Sequence, residues 1–176
     1  MLLNCHTYYS LRYGTLSIDE LINEVKTKGY NACVLSDINN TSAILDTLRL
    51  TQNQHLHVVP GIDFRNGVKP RYIGIAKNNH GFKELNEHLS QYLHSKKEFD
   101  SVAPSFNNAY VIYPFAVYTS QPLHDNCYIG ITAKELGQLS FSPFRHLCHK
   151  MVVLQTLSFT NKKQFNAHRL LRAIDN

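Results

Sequence analysis

The sequence predicts an α/β fold, and three observations carry the prediction. Short apolar runs rich in branched and aromatic residues alternate with amphipathic stretches of helical period through the first hundred residues. The connections between them are short, which favours parallel strands layered against helices. Polar residues, among them Asp37 and Asp63, gather at the ends of the apolar runs, where α/β folds carry their chemistry.

The elements follow in order. "LLNCH" reads as a first strand with Asn4 and His6 at its end. Ser17 and Glu20 form a capping box, two reciprocal hydrogen bonds that satisfy orphan donors at a helix start. Ile18, Leu21, Ile22 and Val25 then make one buried face, and Gly29 stops the helix. "NACVLSD" is a buried strand ending at Ser36 and Asp37. A second helix follows in "NNTSAILDTLRLTQNQ", with Ile44, Leu45 and Leu48 apolar and Asp37 expected to cap it near Asn40 to Ala43. "HLHVVPGIDF" is a strand ending at Asp63, with Gly61 read as a turn glycine, and "RYIGIA" is another strand. "NHGFKELNEHLSQYLHSKK" is a third helix, with Phe82, Leu85, Leu89, Tyr92 and Leu93 on one side.

After Lys97 the pattern loosens. Glu98 to Asn108 reads as an exposed loop of turn formers, and "YVIYPF" and "NCYIGI" as strands. Two short helices are expected to break near Ser142–Pro143, then one strand in "KMVVLQTLSF", then a last amphipathic helix carrying Phe165, Leu170, Leu171 and Ile174.

With 176 residues the chain is read as one domain over 1–176. It is long enough to bury roughly two-thirds of its unfolded surface without disulfide staples. The four cysteines, Cys5, Cys33, Cys127 and Cys148, form no CxxC pair and read as reduced thiols of a cytoplasmic protein. No stretch approaches the roughly 18 apolar residues of a membrane span, and the start carries no signal peptide. The net charge of +5 points mildly to a polyanionic neighbour, with no basic cluster to make a nucleic-acid face. No phosphate-binding glycine loop or nucleophile elbow occurs. His55 and His57 precede the third strand and read as surface residues. His146, Cys148 and His149 lack a second ligand cluster for zinc.

Four stretches in order, "NCHTYYSLRYGTLSIDELI", "VLSDINNTSAI", "VVPGIDF" and "IAKNNHGFKEL", resemble the polymerase and histidinol phosphatase (PHP) family. The resemblance is closest to the PHP domain at the N-terminus of bacterial replicative DNA polymerase III alpha subunits. It is strong over residues 3 to 90. It implies a distorted (β/α)7-type barrel whose active members bind metal ions at the C-terminal mouth of the strands. Paired metals there activate a water and neutralise the oxygens of an in-line displacement.

Measured against that pattern the ligand positions are altered. The family opens with H-x-H, and here Asn4 precedes His6. Tyr13 stands where an Asp precedes the glycine, and the T-D-H-N motif becomes Ser36-Asp37-Ile38-Asn39. Asp63 stands where Glu is usual, and Arg71 where a histidine often opens the next strand. The late N-D-x-H falls on Thr156-Leu157-Ser158-Phe159. Ile, Leu and Phe offer no lone pair to a metal. The vestigial site is therefore expected at Asn4, His6, Tyr13, Asp37, Ile38, Asp63 and Arg71, with no catalytic residue and no metal. Arg71 is expected to place a fixed cation beside Asp63 or Asp37, and Tyr13 to bond Asn4 or His6.

The expected function is a non-catalytic PHP domain of a polymerase III alpha subunit, an N-terminal fragment of a longer polymerase chain. It would act as a structural and docking module in bacterial chromosomal DNA replication. Nucleotidyl transfer by the DNA-directed DNA polymerase would reside in residues outside this stretch. Its partners would be polymerase domains of the same chain, a proofreading exonuclease subunit, and DNA through the parent complex, with no membrane. The rival expectation is an active metal-dependent phosphoesterase or 3′–5′ exonuclease using zinc, manganese or iron, with His6 and Asp63 the best candidate ligands.

Overall fold

A computed structural model describes residues 1–121 and 123–175. Eight strands form one sheet: β1 (Leu2–Cys5), β2 (Ala32–Leu35), β3 (His57–Asn66), β4 (Lys69–Ala76), β5 (Ala109–Pro114), β6 (Cys127–Ile131), β7 (Met151–Val153) and β8 (Thr156–Leu157). Among the described residues five α-helices accompany them, α1 (Ile18–Thr27), α2 (Ala43–Thr51), α3 (Asn79–Ser95), α4 (Leu136–Leu139) and α5 (Lys162–Asp175), with two 3-10 segments at Phe115–Val117 and Pro143–Lys150. The fold is α/β as expected, with the sheet curled in the manner of a barrel.

The curl follows from strand order. The sheet runs β7-β6-β5-β4-β3-β2-β1-β8, so β7 and β8 are its two edges. Yet only Leu154 and Gln155 separate them in the chain. Three Cα–Cα steps of 3.8 Å span at most about 11 Å, so the edges must approach one another. No ladder joins β7 to β8 among the described residues, and the barrel stays open along that seam.

The concave side holds Val34, Ile73, Ile75, Ile112 and Leu154. Outside, α1 and α2 cover β1 to β3, with Leu21, Ile22, Val25, Leu35 and Ile44 in one cluster. Around β3 to β6, α3 and the 97–108 loop bury Phe64, Tyr72, Leu85, Leu89, Phe99 and Tyr113. The capping box of α1 is formed, and its four expected apolar residues are buried. Each such side chain contributes roughly 1.5–3 kcal/mol before the entropy of ordering is counted.

Several expectations are corrected. The "RYIGIA" strand is antiparallel to both its neighbours, β3 and β5. β3 runs on to Asn66, so Asp63 lies within a strand and not at its end. Gly61 is a strand residue; a Cβ there would lie 2.8 Å from the Val34 side chain and 2.9 Å from the Gly74 carbonyl. "KMVVLQTLSF" is two strands on opposite edges of the sheet. On α2 the buried residues are Ala43, Ile44, Thr47 and Thr51, while Leu45 and Leu48 face solvent. Leu93 of α3 is exposed as well, and so is Cys148, whereas Phe99 and Phe106 anchor the supposedly exposed loop.

Candidate functional site: the mouth at the C-terminal ends of β1 to β3

The site begins with the loop after β1. Gly14 lies so close beneath Thr7 that a Cβ would sit 1.8 Å from the Thr7 carbonyl oxygen. Asp37, just past β2, pins the same loop. Its carboxylate accepts from the Thr7 amide at 2.7 Å, the Thr7 hydroxyl at 2.7 Å and the Ser10 hydroxyl at 2.6 Å. Ser10 Oγ in turn accepts from the Ile38 amide at 3.0 Å. Asp37 therefore ties β2 to the β1 loop and does not cap α2, whose N-terminal residue Ser42 makes no side-chain cap bond.

β1 supplies the next two residues. Asn4 donates to Thr156 Oγ1 at 2.9 Å and accepts from Ser36 Oγ at 2.8 Å, so both ends of its amide are engaged. His6 is fully buried, with Nδ1 3.3 Å from Ser158 Oγ and Nε2 3.2 Å from Asp63 Oδ2. The His6–Asp63 approach is close but lies outside hydrogen-bond geometry, and His6 Nε2 and Asp63 Oδ1 are left without hydrogen-bond partners.

The cation at this site is Arg65. Strand alternation puts Asp63 and Arg65 on the same, concave side of β3. Arg65 donates to Asp63 Oδ2 from Nε at 3.0 Å and from Nη2 at 2.6 Å. Its guanidinium lies 4.5 Å from the centre of the Tyr13 ring. Tyr13 also meets His6 edge-on at 5.1 Å and His168 of α5 at 4.6 Å, and His168 Nδ1 donates to the Tyr13 carbonyl at 2.7 Å. The last helix thus closes over the mouth through His168 and through Arg172, whose guanidinium lies 5.5 Å from the Tyr13 ring centre.

The two carboxylates are tuned in opposite directions. Burial raises the Asp63 carboxyl, but the Arg65 guanidinium and the His6 contact outweigh it and hold the group below the ordinary range. For Asp37 burial wins over the bonds from Ser10 and Thr7, and its carboxyl is pushed up. Burial also opposes the charge on Arg65, yet the Asp63 carboxylate more than compensates, so the proton is held more tightly than on an ordinary arginine.

The structure therefore brings Asn4, His6, Tyr13, Asp37, Ile38 and Asp63 to one mouth, with Ile38 bridged to Asp63 through the backbone. Arg71 does not pair with either aspartate. Phe64 pairs with Tyr72 and Arg65 with Pro70, so Arg71 falls in a bulge, and its guanidinium turns to Glu98 at 3.8 Å. Nor does Tyr13 bond Asn4, whose partners are Thr156 and Ser36. The residues that sequence reasoning missed are Arg65 and Ser10, whereas His168 packs as its place beside the apolar face of the last helix suggests. Arg65 was visible as the second residue after Asp63 in a strand. Among the described residues no three His, Cys, Asp or Glu side chains converge in a way that would hold a metal ion.

The PHP domain profile matches residues 3–141. Over 98 residues the chain is 30% identical to a DNA polymerase III subunit alpha from Ureaplasma parvum serovar 3, covering 56% of this chain and 10% of that protein. Over 99 residues it is 31% identical to a DNA polymerase III subunit alpha from Staphylococcus epidermidis, covering 54% of this chain and 9% of that protein. The match thus spans about a tenth of these relatives' length. Among solved structures, an amidohydrolase from Chromobacterium violaceum with bound sulfate and no metal aligns with a TM-score of 0.43 and 15% identity, over 54% of this chain and 34% of that one. A protein from Bifidobacterium adolescentis, assigned provisionally as a metal-dependent phosphoesterase, aligns with a TM-score of 0.41 and 11% identity, over 98% of this chain and 82% of that one. Similarity this low carries no functional information. The match across residues 3–141 is what decides the family: the chain belongs to the PHP family.

Proposed function

We propose that this member of the PHP family is a non-catalytic domain of the polymerase III alpha type, a structural and docking module in bacterial chromosomal DNA replication. One observation carries the reading: most of the polar groups at the mouth are engaged by protein, His6 Nε2 and Asp63 Oδ1 being the exceptions. Arg65 gives Asp63 Oδ2 two hydrogen bonds, Thr7 and Ser10 give the Asp37 carboxylate three, and Ser36 and Thr156 hold both ends of the Asn4 amide. This donor set does not fit a cluster of divalent metals. A second cation would meet a guanidinium 2.6 Å from the shared carboxylate. The partners proposed are polymerase domains of an alpha subunit and a proofreading exonuclease subunit, in the cytoplasm. No helix among the described residues is long and apolar enough to cross a membrane.

A second reading, a residual mononuclear phosphoesterase or exonuclease centre, is favoured by one fact. His6 Nε2 and Asp63 Oδ1 are buried and have no hydrogen-bond partners. The test is hydrolysis of bis(p-nitrophenyl) phosphate and of 3′-labelled DNA with added manganese, zinc or iron. The scaffold reading expects no turnover above the buffer rate. Turnover that disappears in His6→Ala would overturn it in favour of the second.

A further inference from the structure

The opposite end of the barrel carries a second feature, independent of the mouth. Between β1, β2, β3, β5 and β6 and the C-terminal end of the antiparallel β4 lies a hollow of about 750 Å³. Its floor is aliphatic: Leu3, Val34, Val59, Ile75 and Ile112. Leu3, Val59 and Val152 are only half-buried, so apolar surface there is left against water. The volume falls within the range of small-molecule sites, as does the mixture of apolar walls and few polar groups.

One wall is charged. Lys77 Nζ lies 4.5 Å from the Tyr110 ring centre, Tyr110 meets Tyr128 edge-on at 6.0 Å, and Lys150 Nζ lies 5.4 Å from Tyr128. Lys77 gives one hydrogen bond to Asn126 at 2.6 Å, and its ammonium has three donors. The residues lining the hollow include this lysine and His57 but no Asp or Glu. The charge at the rim is therefore positive and the floor is greasy. The polar side chains on the lining, among them His57, Asn78 and Asn79, bring no negative charge, and a single lysine suits a monoanion better than a phosphate dianion.

We propose that this hollow binds a single-chain amphiphilic carboxylate, with the alkyl chain on the aliphatic floor and the head group beside Lys77. The chain displaces water from Leu3, Val59 and Val152, and the carboxylate meets Lys77 at the rim. The site lies away from His6 and Asp63, so it stands whether or not the mouth is catalytic.

Methyl-resolved NMR titration of the whole chain tests this with decanoate, decan-1-ol and decyltrimethylammonium as probes. Decanoate is expected to shift the methyls of Val34, Val59, Ile75 and Ile112 saturably at one site. Each methylene added between octanoate and decanoate should tighten binding about fourfold. Lys77→Gln, at an exposed side chain, should weaken decanoate about threefold or more while leaving decan-1-ol unchanged. Val59→Trp should put a bulky ring across part of the aliphatic floor and weaken both decanoate and decan-1-ol. Absence of saturable shifts overturns the proposal, as does equal affinity for decyltrimethylammonium. Concentration-dependent broadening of the same methyls without ligand, with a dimer in sedimentation, overturns it too, because the occupant would then be a second copy of this chain.

Discussion

Arg65→Met isolates the pair on which the mouth depends. The substitution keeps an unbranched chain of similar length and removes the guanidinium that contacts Asp63 at 2.6 Å. Two unit charges about 4 Å apart attract by roughly 4 kcal/mol at an effective dielectric near 20. Losing one member of a buried pair typically costs about 3–5 kcal/mol, since the survivor stays desolvated and uncompensated. Asp63 is 1% exposed, so solvent cannot take over from the arginine. His6 is the other group within reach, at 3.2 Å. Urea denaturation at pH 7 should therefore show a loss of about 3 kcal/mol. The pH dependence should also reverse. In the native protein the Asp63 carboxyl is held low, so its contribution is complete above the unfolded carboxylate value and fades as pH falls through the folded one. In the variant burial, the largest influence on this carboxyl, is opposed only by the His6 contact and raises the group above its unfolded value, so part of the lost stability returns as pH falls through that raised value. The exposed pair Arg49–Asp46, at 3.5 Å, is the control, and Arg49→Met should change stability by no more than about 0.5 kcal/mol. A loss at Arg65 no larger than at Arg49, or an unchanged pH slope, would refute the reasoning.

Other consequences are equally direct. Gly14→Ala drives a methyl to within 1.8 Å of the Thr7 carbonyl and should unseat the β1 loop, read as a loss of several kcal/mol or of soluble folded protein. Carbon-detected titration should find Asp37 protonating above, and Asp63 below, the ordinary carboxylate range. The raised Asp37 group favours folding below its unfolded value, and that contribution is lost as pH rises through the folded one. Ser17→Ala removes the hydroxyl that accepts from the Glu20 amide and should cost about 1 kcal/mol in thermal or urea unfolding.

Local chemistry was legible in the sequence wherever one residue type has one job. Ser17 and Glu20 announced α1, and Gly29, with φ of 76°, ended it. The antiparallel turn between β3 and β4 was legible too, in Gly67, which takes the positive φ of 56° in the two-residue turn between the paired Asn66 and Lys69. Reading the strand as ending at Asp63 hid both that turn and Arg65. The bulge at Arg71 was not legible, since it arises from the pairing of β3 with β4. The split of β7 from β8 depends on which edge each run finds, a question of closure that no local period encodes. On α2 the leucines mark an apolar stripe, yet Ala43, Thr47 and Thr51 face inward; small side chains suit a close approach to the sheet, and the two threonine hydroxyls bond back to helix carbonyls.

The account holds that protein groups have taken the place of metal at the mouth of this barrel. Its most direct test is the metal content of the purified chain after exposure to zinc, manganese and iron and removal of free ions, read by elemental mass spectrometry. The account predicts far less than one metal per chain, the same in His6→Ala and Asp63→Asn. One tightly held metal per chain, lost in either variant, would contradict it.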